Sequence, residues 1–191
     1  MVKNKTIGVL ALQGDFLEHI RALQKIGVTP REVRLPEDLN GLDGIIFPGG
    51  ESTTMANLLD VFKIRTPLKT KIQKGLPVWG TCAGMILLAK KLVQDRPEPL
   101  KLMDIEVSRN AFGRQIDSFS TALEIKGLGK EPLHATFIRA PFIISAGKKV
   151  EILAKLEDGT IVAAREKNML ATSFHPELTA DARLHKYFAG F

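Results

Sequence analysis

The only cysteine of the chain lies in the segment V-W-G-T-C-A-G-M, between two glycines. The apolar residues 76–79 before it are typical of a buried strand, and the run that begins at Ala83 is typical of a helix. Cys82 is therefore predicted at a sharp strand-to-helix turn, as in the G-x-S-x-G nucleophile elbow, with sulfur in place of oxygen. Gly80 and Gly84 leave room for that turn and for close packing of the helix on the strand. A lone cysteine is more often a small buried apolar residue, but this context favours a nucleophile.

A base for that nucleophile is offered by the segment S-F-H-P-E-L. Pro176 favours extended backbone at His175, and in extended backbone Glu177 lies on the same side as His175. The carboxylate would then fix the tautomer of the imidazole and stabilise its protonated form, which completes a triad with Cys82. An isolated H-P-E tripeptide would more readily be a surface turn, but its pairing with the elbow cysteine favours the triad. The other histidines lack a carboxylate placed to orient them and are predicted to be structural: His19, His134 and His185.

A third motif, F-P-G-G-E-S-T-T at 47–54, also lies where a predicted strand ends and a helix begins. The paired glycines Gly49 and Gly50 can direct backbone N–H groups into a pocket as an anion-binding nest. With the N–H of Ala83, such groups would stabilise a transient oxyanion. A plain turn with Ser52 as the helix cap is the alternative, and both can hold at once. A Walker-type phosphate loop is excluded because no Gly-Lys-Ser/Thr follows.

Alternating strands and helices must position these motifs. The first half has predicted strands at 6–12, 29–34, 44–47 and 76–79, with predicted helices after them at 16–26, 53–62, 67–74 and 83–91. Asp15 is expected to cap the first helix, with Glu18 as its capping-box partner. Short connections between such elements indicate a parallel sheet that is covered by helices on both faces.

The second half is mostly strand-like, which suggests antiparallel strands added to the parallel core. The predicted strands are 101–107, 120–126, 135–140, 150–156, 160–166 and 169–173, followed by a helix around 179–187. The predicted fold class is α/β, with a mostly parallel central sheet flanked by helices and a single domain over residues 1–191. Segment 108–118 has no clean periodicity and is a candidate functional loop.

Composition narrows the function classes. The chain has 191 residues and a net charge of +6, but its cations are scattered and aromatic residues make up only 6 %, which argues against nucleic acid. One cysteine excludes an internal disulfide framework and a Cys-rich zinc site. No apolar run approaches the roughly 18 residues of a membrane span, and no signal-peptide pattern is found. We therefore expect a cytoplasmic protein.

Taken together, V-W-G-T-C-A-G-M and S-F-H-P-E-L resemble the class I (triad) glutamine amidotransferases, which release ammonia from glutamine through a cysteinyl thioester. The segments G-V-L-A-L-Q-G-D-F-L-E-H (8–19), F-P-G-G-E-S-T-T and S-R-N-A-F-G-R-Q (108–115) are similar to the glutaminase subunits of pyridoxal 5′-phosphate synthase. The resemblance covers nearly the whole chain and implies a flavodoxin-like three-layer fold. It implies Cys82, His175 and Glu177 as the triad, with Gly49 or Gly50 and Ala83 as the oxyanion hole. The glutamine-binding residues that it implies are Gly50, Glu51, Ser52, Arg109, Ile138 and Arg139.

The resemblance also implies a partner. Ammonia would pass to a synthase subunit, expected as a dodecameric core that carries up to twelve glutaminase subunits. Glutaminases of this kind are typically weak alone and are activated by docking, which completes the oxyanion hole by a peptide flip. No cofactor or metal is expected in this chain, because pyridoxal phosphate is the product of the assembly.

Two alternatives remain open at this stage. A class I glutaminase can serve another acceptor, such as imidazole glycerol phosphate synthase, although the segment Q-G-D-F-L-E-H argues against it. A non-catalytic redox sensor or binding protein with an elbow cysteine is the other, and the pairing of His175 with Glu177 argues against that one.

Overall fold

The central feature of the fold is a sheet whose first half is parallel. A computed structural model describes residues 4–109 and 118–191. Five of its strands are parallel neighbours in the order β2–β1–β3–β4–β12. β3, β4 and β12 are buried along their whole length, as expected of continuous apolar runs with both faces covered. The bounds are β1 Thr6–Leu10, β2 Thr29–Val33, β3 Gly44–Phe47, β4 Val78–Thr81 and β12 Met169–Thr172.

Helices cover both faces of the parallel half. Ile46 of β3 packs in one buried cluster with Leu23 of α1 and with α5. Its neighbour Ile45 packs in a second cluster with Met55 of α2 and with α3 and α4. Adjacent residues of a strand point to opposite faces, so the two clusters are the two faces of the sheet, and the predicted α/β architecture is confirmed. The helices are α1 Phe16–Lys25, α2 Ser52–Val61, α3 Arg65–Gln73, α4 Ala83–Leu88 and α5 Arg183–Ala189.

The sheet continues from β12 into mostly antiparallel strands, in the order β11–β9–β6–β5, with β10 paired to β11. β7 and β8 form a separate antiparallel pair. The remaining bounds are β5 Ala89–Leu92, β6 Met103–Ser108, β7 Ser118–Leu123, β8 Leu133–Ile138, β9 Phe142–Ala146, β10 Glu151–Lys155 and β11 Ile161–Glu166. No helix among residues 4–109 and 118–191 has the length and apolar character needed to cross a membrane.

Five local features differ from the predictions. The helix expected to run to about Lys91 ends at Leu88, and the next four residues form β5, which pairs in parallel with β6. β9 was not predicted, and the terminal helix begins at Arg183 instead of near 179. α2 is capped by Glu51 instead of Ser52, because the Glu51 carboxylate accepts the N–H groups of the first turn. Asp15 occupies the cap position of α1 without a side-chain cap bond.

Candidate active site

Cys82 lies between β4 and α4, and its backbone adopts an uncommon conformation. Its φ is 48° and its ψ is −107°, a positive φ that is rare outside glycine. The surrounding chain holds it there: the N–H of Cys82 donates to the carbonyl of Thr172 at 2.8 Å, and its own carbonyl accepts from the N–H of Met85 at 3.1 Å. A strained residue that is fixed by its neighbours in this way is typical of a functional site.

The flanking glycines make the elbow sterically possible. A Cβ on Gly80 would lie 2.5 Å from the carbonyl carbon of Gly84, and a Cβ on Gly84 would overlap the carbonyl of Phe47. α4 therefore packs directly on the backbone of β3 and β4. This contact sets the position of Cys82, the residue immediately before the helix.

We expect Gly84→Ala to lower the free energy of unfolding by about 2–3 kcal/mol, because the methyl group has to displace backbone. Chemical denaturation of the isolated chain measures this change. The control is Gly27→Asn, at a position where nothing lies within 4 Å of the Cβ and where φ is +74°, which asparagine tolerates. A loss no larger for Gly84→Ala than for the control would contradict this view of the packing.

His175 and Glu177 follow β12, which is the strand paired with β4. The Nδ1 of His175 lies 2.7 Å from Oε1 of Glu177, and Cys82 is near enough to the imidazole to raise its pKa. Because Nδ1 is engaged by the carboxylate, Nε2 is the ring nitrogen available to the thiol. The extended backbone that was predicted to bring Glu177 to His175 is wrong, since Pro176–Leu178 is a 3-10 turn. The turn nevertheless brings the carboxylate back to the ring.

Burial and charge act in opposite directions in this group. All three side chains are largely buried, with Cys82 7 %, His175 4 % and Glu177 6 % exposed. Burial lowers the pKa of His175, but its hydrogen bonds to Cys82 and Glu177 and their negative charges outweigh burial and raise that pKa to about 10. Burial raises the pKa of Glu177, and the bond to His175 opposes that change. The imidazole is therefore a strong proton acceptor beside the sulfur.

Gly49 lies against the imidazole of His175. A Cβ at this position would overlap Cε1 of the ring and lie 2.9 Å from Nδ1. The carbonyl of Gly49 accepts the N–H of Asp15 at 3.2 Å, and the Asp15 carboxylate lies 3.5 Å from Nδ1 of His175. The absence of a side chain at 49 is thus what admits the ring.

The two other groups predicted for the oxyanion hole are Gly50 and Ala83. Ala83 is the first residue of α4, so its N–H has no carbonyl partner within the helix. Gly50 has a φ of +144°, which favours glycine. The N–H of Glu51 donates to Oε1 of Gln13 at 2.9 Å, which fixes the G-G-E segment to the connection between β1 and α1.

The residues predicted to bind substrate fall into two groups. In the first, Glu51 accepts the N–H groups of Thr53 at 3.0 Å and Thr54 at 2.6 Å, and its Oε1 lies 3.3 Å from Nη2 of Arg109. Burial raises the pKa of Glu51, but these backbone bonds outweigh it and lower the pKa to about 2. Glu51 is thus an anion that holds the Arg109 guanidinium, whereas Ser52 is buried within α2.

The second group is Ile138 and Arg139. The carbonyl oxygen of Ile138 is 4.0 Å from the Cys82 sulfur, and Arg139 is exposed with a φ of 44°. Most of the predicted functional loop, residues 110–117, lies outside the described residues. Asp15, His175 and Glu177 place three potential metal-ligating atoms within 4.8 Å of one another, but the His175–Glu177 hydrogen bond accounts for that grouping.

Sequence reasoning missed two histidines in the same region. His19, expected on a helix surface or in helix packing, is fully buried and lies 3.5 Å from Oε2 of Glu177. His185 is also fully buried, and its Nε2 lies 3.0 Å from Nδ1 of His19. The available signal was periodicity, since His19 shares the buried face of α1 with Ala22 and Leu23.

Comparisons with known proteins agree with this geometry. A model of the SNO glutamine amidotransferase family matches residues 9–190. Among curated proteins, a pyridoxal 5′-phosphate synthase subunit PdxT from Dehalococcoides mccartyi is 58 % identical over 184 residues, which is 95 % of this chain and 94 % of that protein. A protein of the same name from Herpetosiphon aurantiacus is 56 % identical over 188 residues, 97 % and 99 % of the two chains.

Solved structures extend the comparison to the fold. A crystal structure described as a glutamine amidotransferase superposes with a TM-score of 0.91 at 47 % identity and covers 97 % of this chain and 99 % of its own. A glutamine amidotransferase from Thermotoga maritima superposes with a TM-score of 0.62 at 12 % identity, over 97 % and 83 % of the chains. The second likeness concerns the fold alone. The family resemblance found in the sequence is confirmed.

Proposed function

Because the chain belongs to the SNO glutamine amidotransferase family, we propose that it hydrolyses L-glutamine to L-glutamate and ammonia as the glutaminase subunit of a pyridoxal 5′-phosphate synthase. The observation that carries the proposal is the chain of contacts from Cys82 through His175 to Glu177 at a strained strand-to-helix elbow. A non-catalytic thiol protein has no need of a carboxylate-oriented base beside its cysteine. The names of the relatives favour this acceptor over another amidotransferase pathway.

The chemistry proceeds through two acyl-transfer steps. Nε2 of His175 takes the thiol proton as the sulfur of Cys82 attacks the side-chain amide carbon of glutamine. The imidazolium then gives that proton to the leaving nitrogen, so ammonia departs and a thioester remains. Water, activated by the same imidazole, hydrolyses the thioester to glutamate. Glu177 holds the correct tautomer and balances the imidazolium charge in both steps.

The oxyanion of each tetrahedral intermediate is held by backbone N–H groups of Ala83 and of the Gly49–Gly50 segment. The carbonyl of Gly49 faces the N–H of Asp15, so the N–H of Gly50, on the opposite side of the same trans peptide, points away from Asp15. Rotation of this peptide would break the bond to Asp15 and reverse the direction of that N–H. Glycine at both positions makes such a rotation sterically inexpensive.

Glutamine is held by both groups of residues. The Arg109 guanidinium, anchored by Glu51 and by the carbonyl of Arg96 at 2.8 Å, binds the α-carboxylate of the substrate. Gly50 and Ser52 line the same end of the site at the start of α2. Ile138 and Arg139 contribute from the end of β8, where the Ile138 carbonyl approaches the sulfur.

The partner is a synthase subunit, since the relatives are named as subunits of a synthase. The assembly is a dodecameric synthase core that carries up to twelve copies of this chain in the cytoplasm. Transfer of ammonia inside the assembly keeps it unprotonated until it reacts. This chain itself uses no cofactor or metal.

A glutaminase assay with and without the synthase subunit tests the proposal. We expect glutamate formation by the isolated chain to be slow and to rise at least about 10-fold when the synthase subunit is present, because one added oxyanion donor is worth about 10²–10³ in rate. The Cys82→Ala variant, mixed with the same synthase subunit, measures the background. An isolated chain that is fully active and indifferent to the synthase subunit would contradict docking-dependent activation, and an inactive mixture would contradict the glutaminase assignment.

A further inference from the structure

A row of buried imidazoles lies behind the carboxylate of Glu177. His19 of α1 and His185 of α5 are both fully buried. Nε2 of His19 lies 3.5 Å from Oε2 of Glu177 and 3.2 Å from the Thr81 hydroxyl, and its Nδ1 lies 3.0 Å from Nε2 of His185. We propose that His19 is a positioning residue that donates its Nε2–H toward Glu177 and is itself fixed by His185. This inference deepens the proposed function and rests on it.

The direction of the protons follows from two atoms that lack partners. Within the described ranges, Oε2 of Glu177 and Nδ1 of His185 are buried and have no hydrogen-bond partner. If His19 carried its proton on Nδ1, a lone pair of its Nε2 would face the Glu177 carboxylate. His185 would then accept at Nε2 and leave a buried N–H on Nδ1 unpaired, which is costly.

The opposite tautomers avoid both problems. With its proton on Nε2, His185 donates to Nδ1 of His19, and only an unprotonated Nδ1 of His185 remains without a partner. His19 then carries its own proton on Nε2, which it donates to the Thr81 oxygen at 3.2 Å, with Oε2 of Glu177 beside it at 3.5 Å. The Thr81 hydroxyl can accept this bond because its own hydrogen points to the carbonyl of Phe47 at 3.5 Å. The two histidines therefore form a directional row whose last N–H lies at the Thr81 hydroxyl and 3.5 Å from the carboxylate.

Packing keeps these rings in place. Trp79 contacts both imidazoles edge-on, with its ring centroid 5.6 Å from that of His19 and 4.9 Å from that of His185. The indole is itself anchored, because its N–H donates to the Thr172 hydroxyl at 3.1 Å. The row thus lies in a buried, aromatic layer between α1, α5 and β4, where hydrogen bonds are strong.

The charges around Glu177 explain why a second donor matters. Burial raises the pKa of Glu177, the His175 bond lowers it, and the charge of Asp15 raises it. Burial lowers the pKa of His19 well below its usual value, and the charges of His185 and His175 add to that effect, so His19 is a neutral donor. We expect loss of this neutral donor to raise the pKa of Glu177 further. Glu177 would then be protonated at higher pH and would no longer stabilise the His175 imidazolium.

Three substitutions of His19 distinguish a role in positioning Glu177 from a role in core packing alone. Leucine removes the donor, and glutamine places an amide N–H near the Nε2 position. Asparagine is shorter, so its amide reaches His185 but not Glu177. The matched control is His134→Leu, at an exposed histidine of β8. Glutamine turnover by the complex with the synthase subunit is measured from pH 5.5 to 9, and circular dichroism and thermal unfolding verify that each variant is folded.

We expect His19→Leu and His19→Asn to lower kcat about 10–100-fold, with KM for glutamine changed less than two-fold. The acidic limb of the kcat profile should move to higher pH by about one unit. His19→Gln should recover most of the activity and the wild-type profile, and His134→Leu should match the wild type. If His19→Leu does not fold, the comparison of His19→Gln with His19→Asn tests the proposal. Folded His19→Asn with the wild-type kcat and pH profile would overturn the proposal.

Alkylation of Cys82 by iodoacetamide gives a second readout that needs neither glutamine nor the synthase subunit. If His19 positions the triad, alkylation near pH 7 is slower in His19→Asn than in His19→Gln or the wild type. Slower alkylation in a chain that hydrolyses no glutamine would support the row of histidines and reject the proposed function. Normal glutamine turnover and normal alkylation in His19→Asn would reject the positioning role of His19 without contradicting the proposed function.

Discussion

Replacement of Cys82 by alanine is expected to abolish glutamine hydrolysis while the chain stays folded and still binds its synthase partner. The sulfur is the atom that forms the thioester, and no other thiol exists in the chain. In a triad whose members act as a unit, loss of the nucleophile costs about 10⁵–10⁶-fold in kcat. Alanine removes only the sulfur and leaves the Cβ in the strained elbow, so little change in folding is expected.

The measurement is glutamate release by the complex of the variant with the synthase subunit, together with mass spectrometry of acid-quenched wild-type reactions. The wild type should accumulate an adduct that corresponds to a γ-glutamyl thioester on Cys82, and the alanine variant should not. Gly84→Ala, which disturbs the elbow without removing the sulfur, distinguishes loss of the nucleophile from loss of its geometry. Turnover by Cys82→Ala within a few-fold of the wild type would reject the mechanism.

The elements of this site that are local in sequence were predictable. The G-x-C-x-G spacing places Cys82 at a turn because its glycines must pack on backbone, and Gly84 against Phe47 shows that contact. His175 and Glu177 are only two residues apart, so almost any compact backbone between them allows their contact. The prediction of an extended segment was wrong, but the pairing of the side chains depended little on that detail.

Elements whose structure depends on residues far away in the sequence could not be predicted from local patterns. The residues A-K-K-L at 89–92 are good helix formers, yet they form β5 because β6 offers its open edge to them. That edge comes from residues 103–108, which local periodicity does not include. Tertiary pairing therefore overrides propensity there, and the predicted helix was three residues too long.

His19 shows the same limit within the site. Its neighbours on the buried face of α1 mark it as a packing residue, but its partners lie far along the chain: His185 is 166 residues away. A histidine on an apolar face is normally explained by one hydrogen bond in the core. Only the fold brings it next to Glu177, on the side of the carboxylate opposite His175.

The second large effect is expected at His175. Asparagine there keeps an amide near the Nδ1 position, which can still donate to Oε1 of Glu177, but it removes the Nε2 that faces the sulfur. The variant should lose about 10⁵–10⁶-fold in kcat, nearly as much as Cys82→Ala. The double variant should be no worse than either single one, because base and nucleophile contribute to the same step.

Glu177→Gln is the graded comparison for His175→Asn. Its amide cannot balance the imidazolium charge, and an NH₂ directed at Nδ1 favours the tautomer that leaves a proton on Nε2, so a loss of about 10⁴-fold is expected. Single-turnover assays of the complex with the synthase subunit, and the rate of Cys82 alkylation near pH 7, measure both variants. Alkylation should slow in both. His175→Asn removes the group that takes the thiol proton, and Glu177→Gln removes a negative charge that helps to raise the pKa of His175 to about 10. Removing His175 without slowing alkylation would mean that another group takes the thiol proton. The buried carboxylate would then serve folding instead of catalysis.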